Sequence, residues 1–170
     1  MRCLNLMIKK EIYPENISLR TAEISDEAFL ETVYADSRRE ELVAFRWSRH
    51  KEDEFFKMQF CLQTRAYRMQ FPAAQYCIVE LDETSVGRII VCRCEKEIRL
   101  LDVTLITSFR GLGIGTFLIE RLKNEANFAG KILTLRVLKT NQQAIRLYER
   151  LGLEIVEEND LHFSMQWHNS

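Results

Sequence analysis

Apolar residues recur along this chain at two periods, and the change from one to the other falls at Pro72. Residues 17–22 alternate apolar and polar and predict a first strand. Ser25-Asp26-Glu27 follows as a helix start, with Ser25 as the cap and acids in the first turn, and the helix runs to Arg38. Over 51–69, Phe55, Phe56, Gln59, Phe60, Leu62, Gln63, Ala66 and Tyr67 recur at spacings of three and four. That broad apolar side suits a helix pressed on a sheet or lining a cleft. After Pro72 the runs become short and strand-like. They cover 75–81, 86–94 and 97–106, joined by a glycine-free turn at 82–85 and by charged Glu95-Lys96, which reads as two consecutive hairpins. A helix over 113–127 carries Ile114, Phe117, Leu118, Leu122 and Ala126 on one stripe. A strand over 131–138 follows. Next comes a helix over 141–151, with Asn141 placed to cap it and Gly152 placed to end it. Strands over 153–156 and 161–167 close the chain.

This order gives an α+β sandwich: a helical first third, an antiparallel meander, then strand–helix–strand–helix–strand–strand with a right-handed crossover. The 170 residues suit one domain with a sizeable core. Net charge is −1, so no global basic field favours nucleic acid. Five scattered cysteines, an odd number, do not make a disulfide framework. Cys92 and Cys94 share a strand face but lack two further ligands at sensible spacing, and His50, His162 and His168 lie far off in sequence, so no metal site is expected. The apolar start over 1–8 is too short for a signal peptide or membrane span, which predicts a soluble cytoplasmic protein without membrane association.

The chemistry concentrates in Arg110-Gly111-Leu112-Gly113-Ile114-Gly115, between a strand and a helix. Glycine admits positive φ and close approach of a ligand. A helix N-terminus offers unpaired N–H groups and a positive dipole end. Together they form a phosphate cradle. A P-loop is excluded because no Gly-Lys-[Ser/Thr] occurs anywhere. The dinucleotide fingerprint fails because Thr116 stands where its third glycine belongs. The pattern R/Q-x-x-G-x-G/A is met by Arg110, Gly113 and Gly115. A ligand-free glycine turn is the alternative reading of the hexapeptide alone.

That pattern resembles the pyrophosphate loop of the GNAT N-acetyltransferases, which bind acetyl-CoA. A second stretch, residues 141–153, resembles their signature N-x-x-A-x-x-L-Y-E-x-x-G-F through Asn141, Ala144, Leu147, Tyr148, Glu149 and Gly152, with Leu153 replacing the usual aromatic. Residues 101–106 resemble the family's fourth strand, and Thr107 replaces a frequent proline there. The resemblance is strong over 75–167 and weaker over 1–71. It implies a single domain over 1–170, with an acceptor-side part at 1–71 and an acetyl-CoA-binding core at 72–170. The implied sheet is mostly antiparallel, of six to seven strands, with strands four and five splayed apart.

By the same resemblance, acetyl moves from acetyl-CoA to a primary amine by direct attack in a ternary complex. A non-catalytic acyl-CoA-binding module and a nucleotide-binding regulator are the rivals. Backbone amides of Gly111, Leu112, Gly113, Ile114, Gly115 and Thr116 are implied to hold pyrophosphate. Arg110 adds charge or stays a solvated loop cation. Backbone groups of Val103, Thr104 and Leu105 are implied to pair with the pantetheine arm as an added strand would. Asn141 is a cofactor contact, a helix cap or both. Tyr148 is implied as the general acid for the departing thiolate, a packing aromatic being the alternative. The glutamate base frequent on strands four and five is replaced here by Arg99 and Arg136. Asp102 is the nearest acid, a candidate base or a buried structural carboxylate. Alternation sets it opposite Val103 and Leu105, and a β-bulge could re-aim it. Glu40 and Glu41 are weaker acceptor-recognition candidates. Cys61, Cys77, Cys92 and Cys94 lack a histidine pattern that would make a thiol nucleophile. A homodimer is a family-level expectation.

Overall fold

A computed structural model describes residues 14–39, 42 and 46–169. Glu40 and Glu41 lie outside the described residues. Among the described residues seven strands form one sheet in the order β1-β2-β3-β4-β5-β7-β6. They are β1 (Ile17–Thr21), β2 (Gln75–Leu81), β3 (Thr84–Arg93), β4 (Glu97–Leu105), β5 (Ile132–Leu138), β6 (Glu154–Glu158) and β7 (His162–Trp167). Four helices flank it: α1 (Glu27–Arg38), α2 (Arg49–Gln70), α3 (Ile114–Phe128) and α4 (Gln142–Arg150). All neighbours run antiparallel except β4 and β5, the pair bridged by α3. That parallel pair needs a crossover, and the helix opened by the glycine loop supplies it.

The α3 stripe sets one core. Ile114, Leu118, Ile119, Leu122 and Ala126 are buried against Ile89, Val91, Ile98, Leu100, Leu133, Leu135 and Met165 of the sheet, with Ile145 and Tyr148 of α4 in the same cluster. Each of the large aliphatic side chains contributes about 1.5–3 kcal/mol on leaving water. On the opposite face, Tyr34 and Ala35 of α1 join Phe56 and Phe60 of α2 in a smaller aromatic cluster. The long helix predicted from its three-and-four spacing therefore packs on α1 and reaches the sheet through Gln63 and Tyr67, which bond to Arg88 of β3 and the Leu101 carbonyl of β4, with Ser48 accepting from the Lys51 amide at its start.

One helix start differs from the sequence reading. Ser25 does not cap α1. It sits inside a short 3₁₀ turn over Ile24–Asp26, and the Glu23 amide donates instead to the Asp26 carboxylate at 2.8 Å. Asp26 also takes both terminal nitrogens of Arg20 at 2.7 Å, which ties the turn to β1. The glycine-free hairpin between β2 and β3 holds Asp82 and Glu83 at φ 48° and 63°. Asp82 keeps a backbone bond to the Asn16 carbonyl at 2.9 Å that anchors this left-handed pair.

β4 and β5 pair only from Glu97–Leu100 against Ile132–Leu135. Beyond that point the strands part. β4 stays bound to β3, with Gly87 opposite Leu105. A Cβ at Gly87 would lie 2.3 Å from the Thr104 carbonyl, so this close approach requires glycine. The β3–β4 register slips between Ile90 and Val91, which face Asp102 and Leu100 and leave Leu101 as the extra residue. This bulge turns Val103 and Leu105 to the α3 face and Asp102 to the α1–α2 face.

Candidate active site

The gap between the parted strands opens into a cleft of about 800 Å³. One wall is the loop after β4. Thr107–Phe109 makes one 3₁₀ turn, and Gly111 and Gly113 then take φ of 72° and 88°. Nothing lies within 4 Å of the side-chain direction of either glycine, so the loop presents bare backbone. Gly113 is the N-cap of α3, and the first amides of that helix have no partner of their own within it. Gly111, Gly113, Gly115 and Thr116 line the cleft. Leu112 and Ile114 do not: Leu112 is exposed and Ile114 is wholly buried in the core, which leaves them backbone amides only.

Arg110 also lines the cleft, but its Nε donates to the Leu105 carbonyl at 2.9 Å, so it is pinned to the end of β4 rather than solvated. Thr107, the departure from the motif's frequent proline, donates both its amide and its hydroxyl to Asp36 of α1, at 2.7 and 2.8 Å. A proline would forfeit both bonds, so the exchange ties the loop to α1.

Three carbonyl and amide sites were expected along β4. The Ile106 amide bonds to Val86 on β3. Alternation along an antiparallel ladder then points the Thr104 backbone to β3 and those of Val103 and Leu105 to the gap. Thr104 contributes its side chain instead, donating to Asp102 at 3.1 Å. Asn141 caps α4 through Oδ1, which accepts from the Ala144 amide at 3.1 Å, and its Nδ2, at the cleft wall, has no partner among the described residues.

Tyr148, on the apolar stripe of α4 with Ile145, is 7% exposed, and its hydroxyl has no hydrogen-bond partner among the described residues. Burial pushes its phenol up, and the nearby charge of Asp102 pushes it further in the same direction. The group therefore keeps its proton over ordinary pH.

Asp102 lines the same cleft but is occupied. It accepts Arg88 Nε at 2.7 Å, and Arg88 in turn gives Nη2 to Gln63 of α2 at 2.8 Å. Arg88 is 5% exposed and lies over the rings of Tyr34 and Phe60, 5.8 and 5.6 Å from their centroids. The sequence reading missed this residue; a lone arginine inside the apolar run of β3 was its signal. The hydroxyl of Tyr67, raised chiefly by burial, reaches the Leu101 carbonyl at 3.5 Å. Tyr34 and His162, neither foreseen in that role, also line the cleft, as do Gln63 and Tyr67 from the helix side whose spacing suited a cleft lining. Arg136 lines the cleft. Arg99 does not; it pairs with Glu97 at 2.7 Å and lies over Phe71. Cys61, Cys77, Cys92 and Cys94 all stand away from the cleft, and Cys92 and Cys94 approach each other at 3.5 Å. Among the described residues no cluster could hold a metal ion, and no helix is long and apolar enough to cross a membrane.

A mixed sheet whose one parallel pair splays over a positive-φ loop, with a buried tyrosine across the gap, is the framework of an acyl-CoA N-acyltransferase. Residues 25–153 match the model of the acetyltransferase (GNAT) family, and the chain belongs to that family. It is an acetyltransferase. The fold is also that of the PaiA N-acetyltransferase of Thermoplasma acidophilum solved with coenzyme A, at TM-score 0.67 and 18% identity, covering 90% of this chain and 99% of that one. An acetyltransferase of Thermus thermophilus aligns at TM-score 0.67 and 16% identity over 94% and 99% of the two chains. The Campylobacter jejuni N-acetyltransferase PseH, solved with acetyl coenzyme A, aligns at TM-score 0.58 and 18% identity over 91% and 99%. No curated protein matches the chain in sequence.

Proposed function

We propose that this protein transfers acetyl from acetyl-CoA to a primary amine by direct attack within a ternary complex. The observation that carries the reading is the meeting, in one cleft, of the unpaired end of β4, the bare-backbone loop and the Tyr148 side chain. The site fits the cosubstrate part by part. Loop amides and the α3 N-terminus suit a pyrophosphate. Gap-facing groups of Val103 and Leu105 suit the amides of an extended arm. The uncommitted Nδ2 of Asn141 offers one more donor to that arm.

The amine nitrogen attacks the thioester carbonyl carbon. A C–N bond forms, the C–S bond breaks, and the thiolate takes its proton from the Tyr148 hydroxyl. Tyr148 regains a proton from solvent, and the amine releases its surplus proton to solvent. Asp102 serves as a positioning carboxylate: its bonds to Arg88 and Thr104 fix the cleft floor. Of its two expected roles, this geometry supports the structural one.

Tyr148→Phe is the test. Turnover on an accepted amine falls by about 10²-fold or more, while the acetyl-CoA dissociation constant stays within about threefold. Unchanged turnover would remove Tyr148 from the chemistry. If acetyl-CoA binds but no thiol is released with any amine, the protein is an acyl-CoA-binding module instead.

A further inference from the structure

The charges lining the cleft are lopsided. Among the described residues they comprise six arginines and one carboxylate, Asp102. Three of the arginines belong to the cofactor end. Arg110 is in the loop, Arg150 donates to Thr116 at 3.3 Å, and Arg146 stands one turn before Arg150 on α4. Arg88 is spent on Asp102 and Gln63. Arg38 and Arg136 line the rest of the cleft. Arg38 ends α1, its guanidinium over the Tyr34 ring at 4.8 Å. Arg136 is the first residue of β5 past its last pair with β4, opposite Ser164 of β7. It shares the sheet face of Thr134 rather than the buried face of Leu135 and Val137. It is exposed and has no acidic partner among the described residues.

We propose that the acceptor is a small amine that also carries an anionic group, a carboxylate or a phosphate, held by Arg136, and that polycationic amines are poor acceptors. The inference rests on the transferase reading above. A guanidinium matches either anion with two parallel hydrogen bonds. In a half-enclosed cleft the attraction exceeds its value in open water, and so does the repulsion of a second cation. The same charge bears on the chemistry. An ammonium beside the Arg136 guanidinium is disfavoured relative to the neutral amine that attacks. That charge thus does part of the work of the glutamate base expected on strands four and five.

The experiment compares matched acceptors by CoA-thiol release: an α-amino acid with its carboxamide, an aminoalkyl phosphate with its parent amino alcohol, and a polyamine. The protein and its Arg136→Gln and Arg136→Lys variants are assayed side by side. One anionic acceptor exceeds its neutral partner by about ten- to a hundredfold in kcat/KM, and which pair does so separates carboxylate from phosphate. Arg136→Gln erases that preference through the acceptor KM, with the acetyl-CoA KM unchanged, and Arg136→Lys restores part of it. The proposal is overturned if the carboxamide, amino alcohol or polyamine serves equally well, or if Arg136→Gln keeps the preference. Turnover without charge preference removes this inference alone. Binding of acetyl-CoA with no turnover of any acceptor removes the transferase reading and the inference with it.

Discussion

The Arg88–Asp102 pair offers a quantitative check on the role given to Asp102. Its side chains are 6% and 18% exposed, and Nε and Oδ2 are 2.7 Å apart. Unit charges about 4 Å apart attract by about 4 kcal/mol at an effective dielectric constant near 20, and most of that is offset by the cost of drying them. Removing one partner strands the other. For Asp102→Ala the stranded guanidinium keeps Gln63 and two ring faces, so the loss should fall near the lower end of the usual range, about 3 kcal/mol. Arg88→Met strands a carboxylate that keeps only the Thr104 hydroxyl, at about the same cost. The double variant removes both charges and should lose only about 1–2 kcal/mol, a coupling of several kcal/mol. Urea unfolding of the four proteins measures it. The kinetic arm is independent: a positioning carboxylate predicts that the refolded double variant recovers much of the lost kcat, whereas a base lost is lost in both. Additive losses, with coupling below about 0.5 kcal/mol, would refute the pairing as a structural element.

Three further outcomes follow. Gly87→Ala should cost about 2–3 kcal/mol in urea unfolding and weaken acetyl-CoA binding, because the new Cβ meets the Thr104 backbone; unchanged stability would mean β4 gives way freely. The Arg20 guanidinium holds the Asp26 carboxyl down, from 3.8 to about 2. A depressed acid stabilises the fold above its unfolded value and loses that contribution as pH falls through the folded one. Asp26→Asn should therefore cost about 1 kcal/mol at pH 7, discounted because Arg20 is partly exposed, and the gap should close between pH 4 and 2; an equal gap at both ends contradicts the shift. For Tyr148, whose phenol is raised, kcat at saturating substrates should show no falling alkaline limb below about pH 10, and a lower limb that vanishes in Tyr148→Phe would oppose that direction.

Much of the cofactor half was legible because its signals are local. Arg110, Gly113 and Gly115 mark a loop in which Gly111 and Gly113 take φ values only glycine adopts easily, and Asn141 and Gly152 bracket α4 as a cap and a stop. The acceptor half was less legible because its features arise between strands. Alternation along β4 cannot reveal that Leu101 is an extra residue; that depends on how β3 lies beside it. Nor can the sequence of β3 say that Arg88 finds Asp102, fourteen residues on, and Gln63 on a different helix. Ser25 looked like a cap because serine is a good one, but Asp26 can serve Glu23 and Arg20 together. His162 was weighed only as a metal ligand, since nothing local shows that β7 lies beside β5 and brings it to the cleft.

The short junction of β4 and β5 has a consequence for how the molecule breathes. The sheet is continuous across its middle only through 97–100 and 132–135, so the β1–β4 and β5–β7 blocks meet across four residue pairs. Native-state amide exchange should find the lowest opening free energies among ordered strands in the outer part of β4, residues 101–105, well below those of β3. A ligand lying in that gap binds the closed form and not the opened one. At a hundred times its dissociation constant it raises the opening free energy by about 2.7 kcal/mol. The seam proposed to hold the reaction would then also be where the unliganded protein opens first, and its substrate would be what closes it.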